Sequence, residues 1–309
     1  MTLEQNLNQN DRDQVKNVRH IFNDMVDEYD HLHDLWYSYN FSEIERILWD
    51  EFEPPNTPSM NPPLAIDVGC GTGLQSIQLG SLGYKVIGID IADKLIERAR
   101  TKVQRAKSKH KFLEVDFLIG DAAALPFADS VAEFINCCGP TLSFVPNWRQ
   151  GLSEISRCLK PGGRLLLEVE GKWNFDLFWE IVNGICFNAL EYDESLLEAL
   201  RHLRPPWNVG HHVEYAFKLE SDESVMMPLK LFDASELEKE LQAVGIVQTK
   251  RWGLQSLNNI IPSTILHDAN PSPGLKKIFS FLSSIERRFN QFRPLNALGC
   301  SLLVIAQKK

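Results

Sequence analysis

From Leu64 onward, short apolar runs alternate with amphipathic stretches at helical spacing. That alternation restricts the chain to a parallel sheet covered by helices, because strands joined by helical crossovers are buried on both faces. Strands are predicted at Leu64–Val68, Lys85–Ile89, Phe112–Ile119, Val131–Cys137 and Arg164–Glu170, with helices over Gly73–Leu82, Asp93–Ala106 and Asn147–Leu159. Leu95, Ile96, Ala99 and Val103 give the second helix its apolar face. "KPGGR" reads as a turn that stops the third helix before strand five.

Beyond strand five the rhythm breaks. Residues 171–232 hold an aromatic-rich helical stretch (Trp173, Phe175, Phe178, Trp179, Phe187) and a hairpin pattern, "HHVEYAFKL" with "VMMPLKLF". The α/β pattern then resumes with a capped helix from Asp233 to about Val244 and a sixth strand at Ile246–Trp252. An excursion through 253–296 leads to a closing strand at Cys300–Ala306. At the other end, a helical arm over 11–52 precedes the Pro-rich joint "EPPNTPSMNPP". The expected organisation is an arm and linker (1–60), an α/β core (61–171), a cap insertion (172–232) and the remainder of the core (233–309).

Thirty-two Lys and Arg against 41 Asp and Glu give a net charge of −9, which excludes a general nucleic-acid footprint. The one basic run, "RARTKVQRAKSKHK", has no interleaved aromatics and reads as a solvated helix face. No apolar stretch approaches the roughly 20 residues of a membrane span. The polar opening lacks the pattern of a secretory signal, so a cytoplasmic location is expected. Six cysteines at irregular spacing form neither a disulfide framework nor a paired zinc site, and no metal is expected.

The first strand runs directly into Gly69-Cys70-Gly71-Thr72-Gly73-Leu74. A glycine-rich loop lets backbone N–H groups approach a ligand closely. A dinucleotide fingerprint would place a third glycine where Leu74 stands. Asp67, two residues ahead of the loop, would repel a pyrophosphate but suits a cation. Asp90 ends strand two, where a carboxylate can accept both hydroxyls of a ribose, and Asp121 with Ala122 follows strand three within reach of an adenine edge. Asp67 and Asp121 could instead cap the helices that follow them. Together the three strand tips describe an adenosine that carries positive charge.

The segments "AIDVGCGTG", "VIGIDIADKLIERAR", "GDAAALPFADSVAEFINC" and "EISRCLKPGGRLLLEVEG" resemble, in order and spacing, four successive motifs of the class I S-adenosylmethionine-dependent methyltransferases. The resemblance covers roughly residues 60–171. It implies a Rossmann-like, seven-stranded sheet with helices on both faces, and S-adenosylmethionine as cofactor. It further implies that Gly69, Gly71 and Gly73 wrap the methionine part with Asp67 near the ammonium group. Asp90 would hold the ribose, Ile91 would pack on adenine, Asp121 and Ala122 would bound the ring, and Asn136 and Cys137 would face the methyl group. The arm sequence "VRHIFNDMVDEYDHLHDLW" is similar to that of the ubiquinone and menaquinone C-methyltransferases, which implies that Tyr29 closes over the cofactor. Where those enzymes carry an arginine-containing stretch after strand four, this chain has "CCGPTLSFVPNW".

For a general base, His211 and His212 are the candidates, since strand alternation turns one of them inward. His31 and His33 in the arm are weaker alternatives, and Glu170, ending strand five, could touch substrate or sit at the sheet's rim. Phe175, Phe178, Trp179, Val182 and Cys186 fall at helical spacing and read as a buried stripe, with a pocket for a flat or greasy molecule as the alternative. The expected activity is methyl transfer to oxygen or carbon of a small, aromatic or lipid-like acceptor. Two rivals stay open, an NAD(P)-dependent oxidoreductase and a non-catalytic protein that binds S-adenosylmethionine for regulation.

Overall fold

The computed structural model describes residues 9–31, 34–52, 62–109, 113–192, 195–219 and 221–309. The N-terminal segment forms α1 (Gln9–Asp24), a short 3-10 turn at Tyr29–His31 and α2 (Leu35–Glu51). Asp34 caps α2 by accepting from the Tyr37 amide at 2.7 Å. Most of the Pro-rich joint lies outside the described residues.

The α/β run follows as β1 (Leu64–Val68), α3 (Leu74–Ser81), β2 (Lys85–Asp90), α4 (Asp93–Lys109), β3 (Val115–Ile119), β4 (Ala132–Cys137), α5 (Trp148–Cys158) and β5 (Leu159–Glu170). Four strand positions agree with expectation to within a few residues, and Phe112, the expected start of strand three, falls outside the described residues. Strand five differs. It pairs from Leu159, opposite Ala132, and the ladder then jumps so that Arg164 sits opposite Phe134. "KPGG" therefore bulges out within a strand rather than preceding it, and Gly162 takes a φ of +78° to make the bend.

After β5 come α6 (Phe175–Ile185), α7 (Leu196–His202), the hairpin β6 (His211–Lys218) and β7 (Ser224–Leu231), α8 (Ala234–Ala243), β8 (Ile246–Leu254), α9 (Ser263–Leu266), α10 (Pro273–Phe289) and β9 (Ser301–Lys308). The expected hairpin and the helix capped by Asp233 are present. The expected aromatic stripe is not buried. Phe175 is 37% exposed and Phe178 52%, Cys186 is exposed, and α6 instead buries Leu177 and Asn183. Trp179 is held through its indole N–H to the Asn259 carbonyl at 3.0 Å, a polar anchor that spacing cannot reveal.

The main sheet has seven strands in the order β3-β2-β1-β4-β5-β9-β8, with β9 antiparallel to both its neighbours and the other pairs parallel. One apolar core on one face gathers Ile66, Ile135, Trp148, Leu167 and Leu237. Another on the opposite face gathers Ile47, Leu79, Ile96, Phe134 and Trp252. Because the order runs outward from β1 in both directions, a crevice opens above the C-terminal ends of β1 and β4, which is where ligands of such sheets bind. All six cysteines are free, and all but Cys186 are buried. Among the described residues no helix is long and apolar enough to cross a membrane.

Candidate functional site

The loop after β1 needs its glycines for contact reasons. Gly69 and Gly71 adopt φ values of +71° and +53°, and a Cβ at Gly69 would lie 1.9 Å from the Thr141 side chain, one at Gly71 3.0 Å from the Tyr29 hydroxyl. The Gly69 and Cys70 amides donate to the Ile89 carbonyl at 2.7 and 3.0 Å, which ties the loop to the end of β2. Asp90 completes the tie by accepting from the amides of Gly71 and Ala92, both at 2.9 Å. Burial pushes its carboxyl above the usual carboxylate range. Asp121, also pushed up by burial, accepts from the Ala123 amide at 2.8 Å.

These groups line one cavity of about 70 Å³. Its floor is Gly69, Asp90, Ile91, Asp121 and Ala122, its roof is Val15, Val18 and Phe22 of α1, and Thr141 and Phe144 close the side nearest β4. Among the described residues, Asp90 and Asp121 are its only charged lining residues. A second, larger cleft of about 1020 Å³ lies on the other side of Tyr29, Gly69 and Gly139, which line both spaces.

Five of the expected cofactor residues line neither space, Gly71 among them, whose amide is bonded to Asp90. Asp67 is fully buried beneath the loop, where it accepts from Ser76 Oγ at 2.5 Å and Asn136 Nδ2 at 2.7 Å. Burial raises its carboxyl to about 6. Asn136, equally buried, also donates to Gln75 at 3.0 Å. Both brace the loop from below, in place of the expected ammonium and methyl contacts. Cys137 points into the core beside Leu142 and Trp148 because alternation along β4 turns it away from the crevice. Cys138, the next residue, lines the larger cleft instead. Gly73 lies at the start of α3 against Phe117 and Ala99, outside both spaces. Glu168, which sequence reasoning passed over, accepts from the Gly139 amide at 2.7 Å and so fixes the turn after β4.

The N-terminal segment is strapped over this site. Phe22 meets Phe144 edge-on at 5.7 Å between centroids and Tyr29 at 6.5 Å. Asp30 accepts from Thr72 Oγ1 at 2.7 Å, Lys102 at 2.8 Å and Arg98 at 2.9 Å, while Arg98 also reaches Asp27 at 3.1 Å. Asp93 binds both Arg19 and Asn23 at 2.8 Å, bonds that lower its carboxyl to about 2. The basic run of α4 is thus partly a latch, not the solvated face its composition suggests. The signal was present in sequence as the acids Asp27 and Asp30, which had no other assigned role.

The two histidines expected as bases line neither space. His211 Nε2 lies 3.3 Å from the His202 carbonyl oxygen, and His212 lines a third cleft with Gln14, Pro228 and Lys230. Burial lowers the pKa of both. His33 is outside the described residues. Glu170, by contrast, ends β5 beside the crevice, its amide donating to Ser143 Oγ at 2.9 Å on the same short 3-10 turn (Thr141–Phe144) that carries Thr141 and Phe144. Burial, then Glu168 and Asp176, raise its carboxyl to about 8.

Comparison with known proteins agrees with this architecture. Residues 66–167 match a family described as "Methyltransferase domain". A demethylmenaquinone methyltransferase of Lactococcus lactis is 31% identical over 152 residues, 48% of this chain and 56% of that protein. A bifunctional biotin-biosynthesis protein of Cellvibrio japonicus is 36% identical over 110 residues, 34% of this chain but 19% of that protein. The chain therefore spans about half or less of the length of these curated relatives. A solved S-adenosylmethionine-dependent methyltransferase from Thermotoga maritima superposes with a TM-score of 0.52 at 17% identity, covering 94% of this chain and 99% of that one, which shows a shared fold. The sheet order and the glycine loop thus agree with the match of residues 66–167 to a methyltransferase domain.

Proposed function

We propose that this chain transfers a methyl group from S-adenosylmethionine to oxygen or carbon of a small, aromatic or lipid-like acceptor in the cytoplasm. One observation carries the reading: the cavity above β1, β2 and β3 has two aspartates as its only charged walls, so it complements a cationic nucleoside and opposes a pyrophosphate. That same feature argues against a nicotinamide dinucleotide. The residues fit the cofactor in chemistry. Asp90 keeps free lone pairs for ribose hydroxyls after its two amide bonds, and Ile91 and Ala122 offer apolar contact to a base.

When bound, the cofactor supplies an electrophilic methyl on a sulfonium sulfur. The chain's own part is placement and electrostatics, and alignment of reactants can be worth roughly 7–11 kcal/mol of barrier. Val15, Val18 and Phe22 exclude water from above, and Glu168 holds the turn after β4 at a fixed height. Glu170, on the strand end beside the Thr141–Phe144 turn, is our candidate to take a proton from an acceptor O–H, in preference to the histidines. Ser38, Phe41, Ser42 and Glu45 of α2 line the larger cleft, where the acceptor would lie.

The test is incubation with methyl-labelled cofactor and a small-molecule extract. Label appearing in an organic product with the wild type supports the reading. Saturable cofactor binding with no labelled product from any fraction would favour the regulatory alternative.

A further inference from the structure

We propose that α10 docks this chain onto an anionic lipid surface. A helix on a globular protein usually turns its apolar stripe inward. In α10 the arrangement is reversed.

The inward face, Phe279, Ser283, Glu286 and Asn290, is mostly polar. Glu286 accepts from the amides of Gln255, Leu257 and Asn258 at 2.8, 2.7 and 3.0 Å, and Ser283 Oγ donates to Asn258 Oδ1 at 3.1 Å. The Asn290 carbonyl accepts from the Gly253 amide at 3.1 Å. These bonds anchor the helix without its apolar stripe. Ile278, Phe281, Leu282, Ile285 and Phe289 recur at the spacing of one helical face, an arc of about 100°. Phe292 follows on the next turn. Ile278 is 56% exposed, Phe281 64%, Phe289 46% and Phe292 64%.

Charge identifies the occupant. Between Pro273 and Arg293 the only acid is the buried Glu286, whereas Lys276, Lys277, Arg287, Arg288 and Arg293 are all exposed. Arg287 pairs with Glu43 at 2.5 Å; the other four have no carboxylate partner among the described residues. On a chain of net charge −9 this is a local reversal of sign. A second copy would bring two cationic helices together, and a nucleic acid would satisfy the charges but leave the phenylalanines in water. An apolar stripe with basic flanks suits the plane of an anionic bilayer, where the rings enter the acyl boundary and the cations meet headgroups. This inference stands whether or not methyl transfer does.

The experiment is co-sedimentation of the full chain with vesicles of phosphatidylcholine alone, or of phosphatidylcholine and phosphatidylglycerol in equal parts. Pelleting is expected with the mixed vesicles only, falling as salt is raised. Phe281→Ser combined with Phe292→Ser should lower the partition about tenfold or more, with an unchanged thermal midpoint because both rings are exposed. Lys276→Glu with Lys277→Glu should lower it independently. No pelleting, equal pelleting on both vesicle types, or a wild-type dimer that the double Ser variant converts to monomer without any vesicle binding would overturn the proposal.

Discussion

Asp90 joins the glycine loop to β2 and faces the cavity at once, so its loss removes two charge-assisted bonds as well as the ribose contact proposed for it. Asp90→Ala is expected to weaken S-adenosylmethionine binding by about 3 kcal/mol, roughly a hundredfold in Kd, read by titration calorimetry. Glu170 gives a prediction in pH. Its folded carboxyl sits at about 8 against 4.5 unfolded, so the folded state holds the proton longer. The stability it contributes is fully present below about 4.5 and is lost as pH rises toward 8. Burial opposes its charge most, and Glu168 and Asp176 add to that. Glu170→Gln should therefore gain thermal stability over the wild type as pH increases, by ~2–4 kcal/mol at pH 8 and above, and should flatten the pH profile of methyl transfer. An unchanged difference in midpoint between pH 5 and pH 8 would contradict this. At this scale the strand-tip acids were visible from sequence because position along a strand sets their height. Asp67 and Cys137 were misplaced because height does not tell which way a side chain turns, and Asn136 competes for Asp67 from a neighbouring strand.

The α1 helix roofs a cavity of about 70 Å³, well below the ~300 Å³ or more of small-molecule pockets, so it must shift outward to admit a nucleoside. The straps to α4 set how easily it does. Arg98→Ala removes the partly buried pair to Asp30 and the exposed pair to Asp27 and should weaken cofactor affinity by about 1 kcal/mol while raising hydrogen exchange in α1. Exchange in α1 that is the same in wild type and variant would contradict the latch. Elements with strong periodicity, β1 to β4 and α3 to α5, were readable because both faces of a parallel strand must be apolar. The start of β5 was not, since Gly162 and Gly163 look like a helix stop and only the partner strand reveals a bulge. Nor were α7 and α10. The first is only seven residues long, and the second turns Ser283 and Glu286 inward, an orientation that its apolar spacing does not show.

Across the whole molecule, the sheet carries one apolar core on each face and leaves its C-terminal edge for chemistry. The hairpin β6–β7 packs on α1 through Leu219, Val225 and Met227 against Ile21, so the inserted segment and the roof of the cavity form one unit. Binding beneath that roof should raise the thermal midpoint, with about 2.7 kcal/mol of added stability at a ligand concentration one hundred times Kd. The most direct measurement is titration calorimetry of the purified chain with S-adenosylmethionine and, separately, NADH. A saturable one-site heat with S-adenosylmethionine and none with NADH is the result expected from a cavity walled by Asp90 and Asp121. Binding of NADH in its place, or no heat with either, would contradict it.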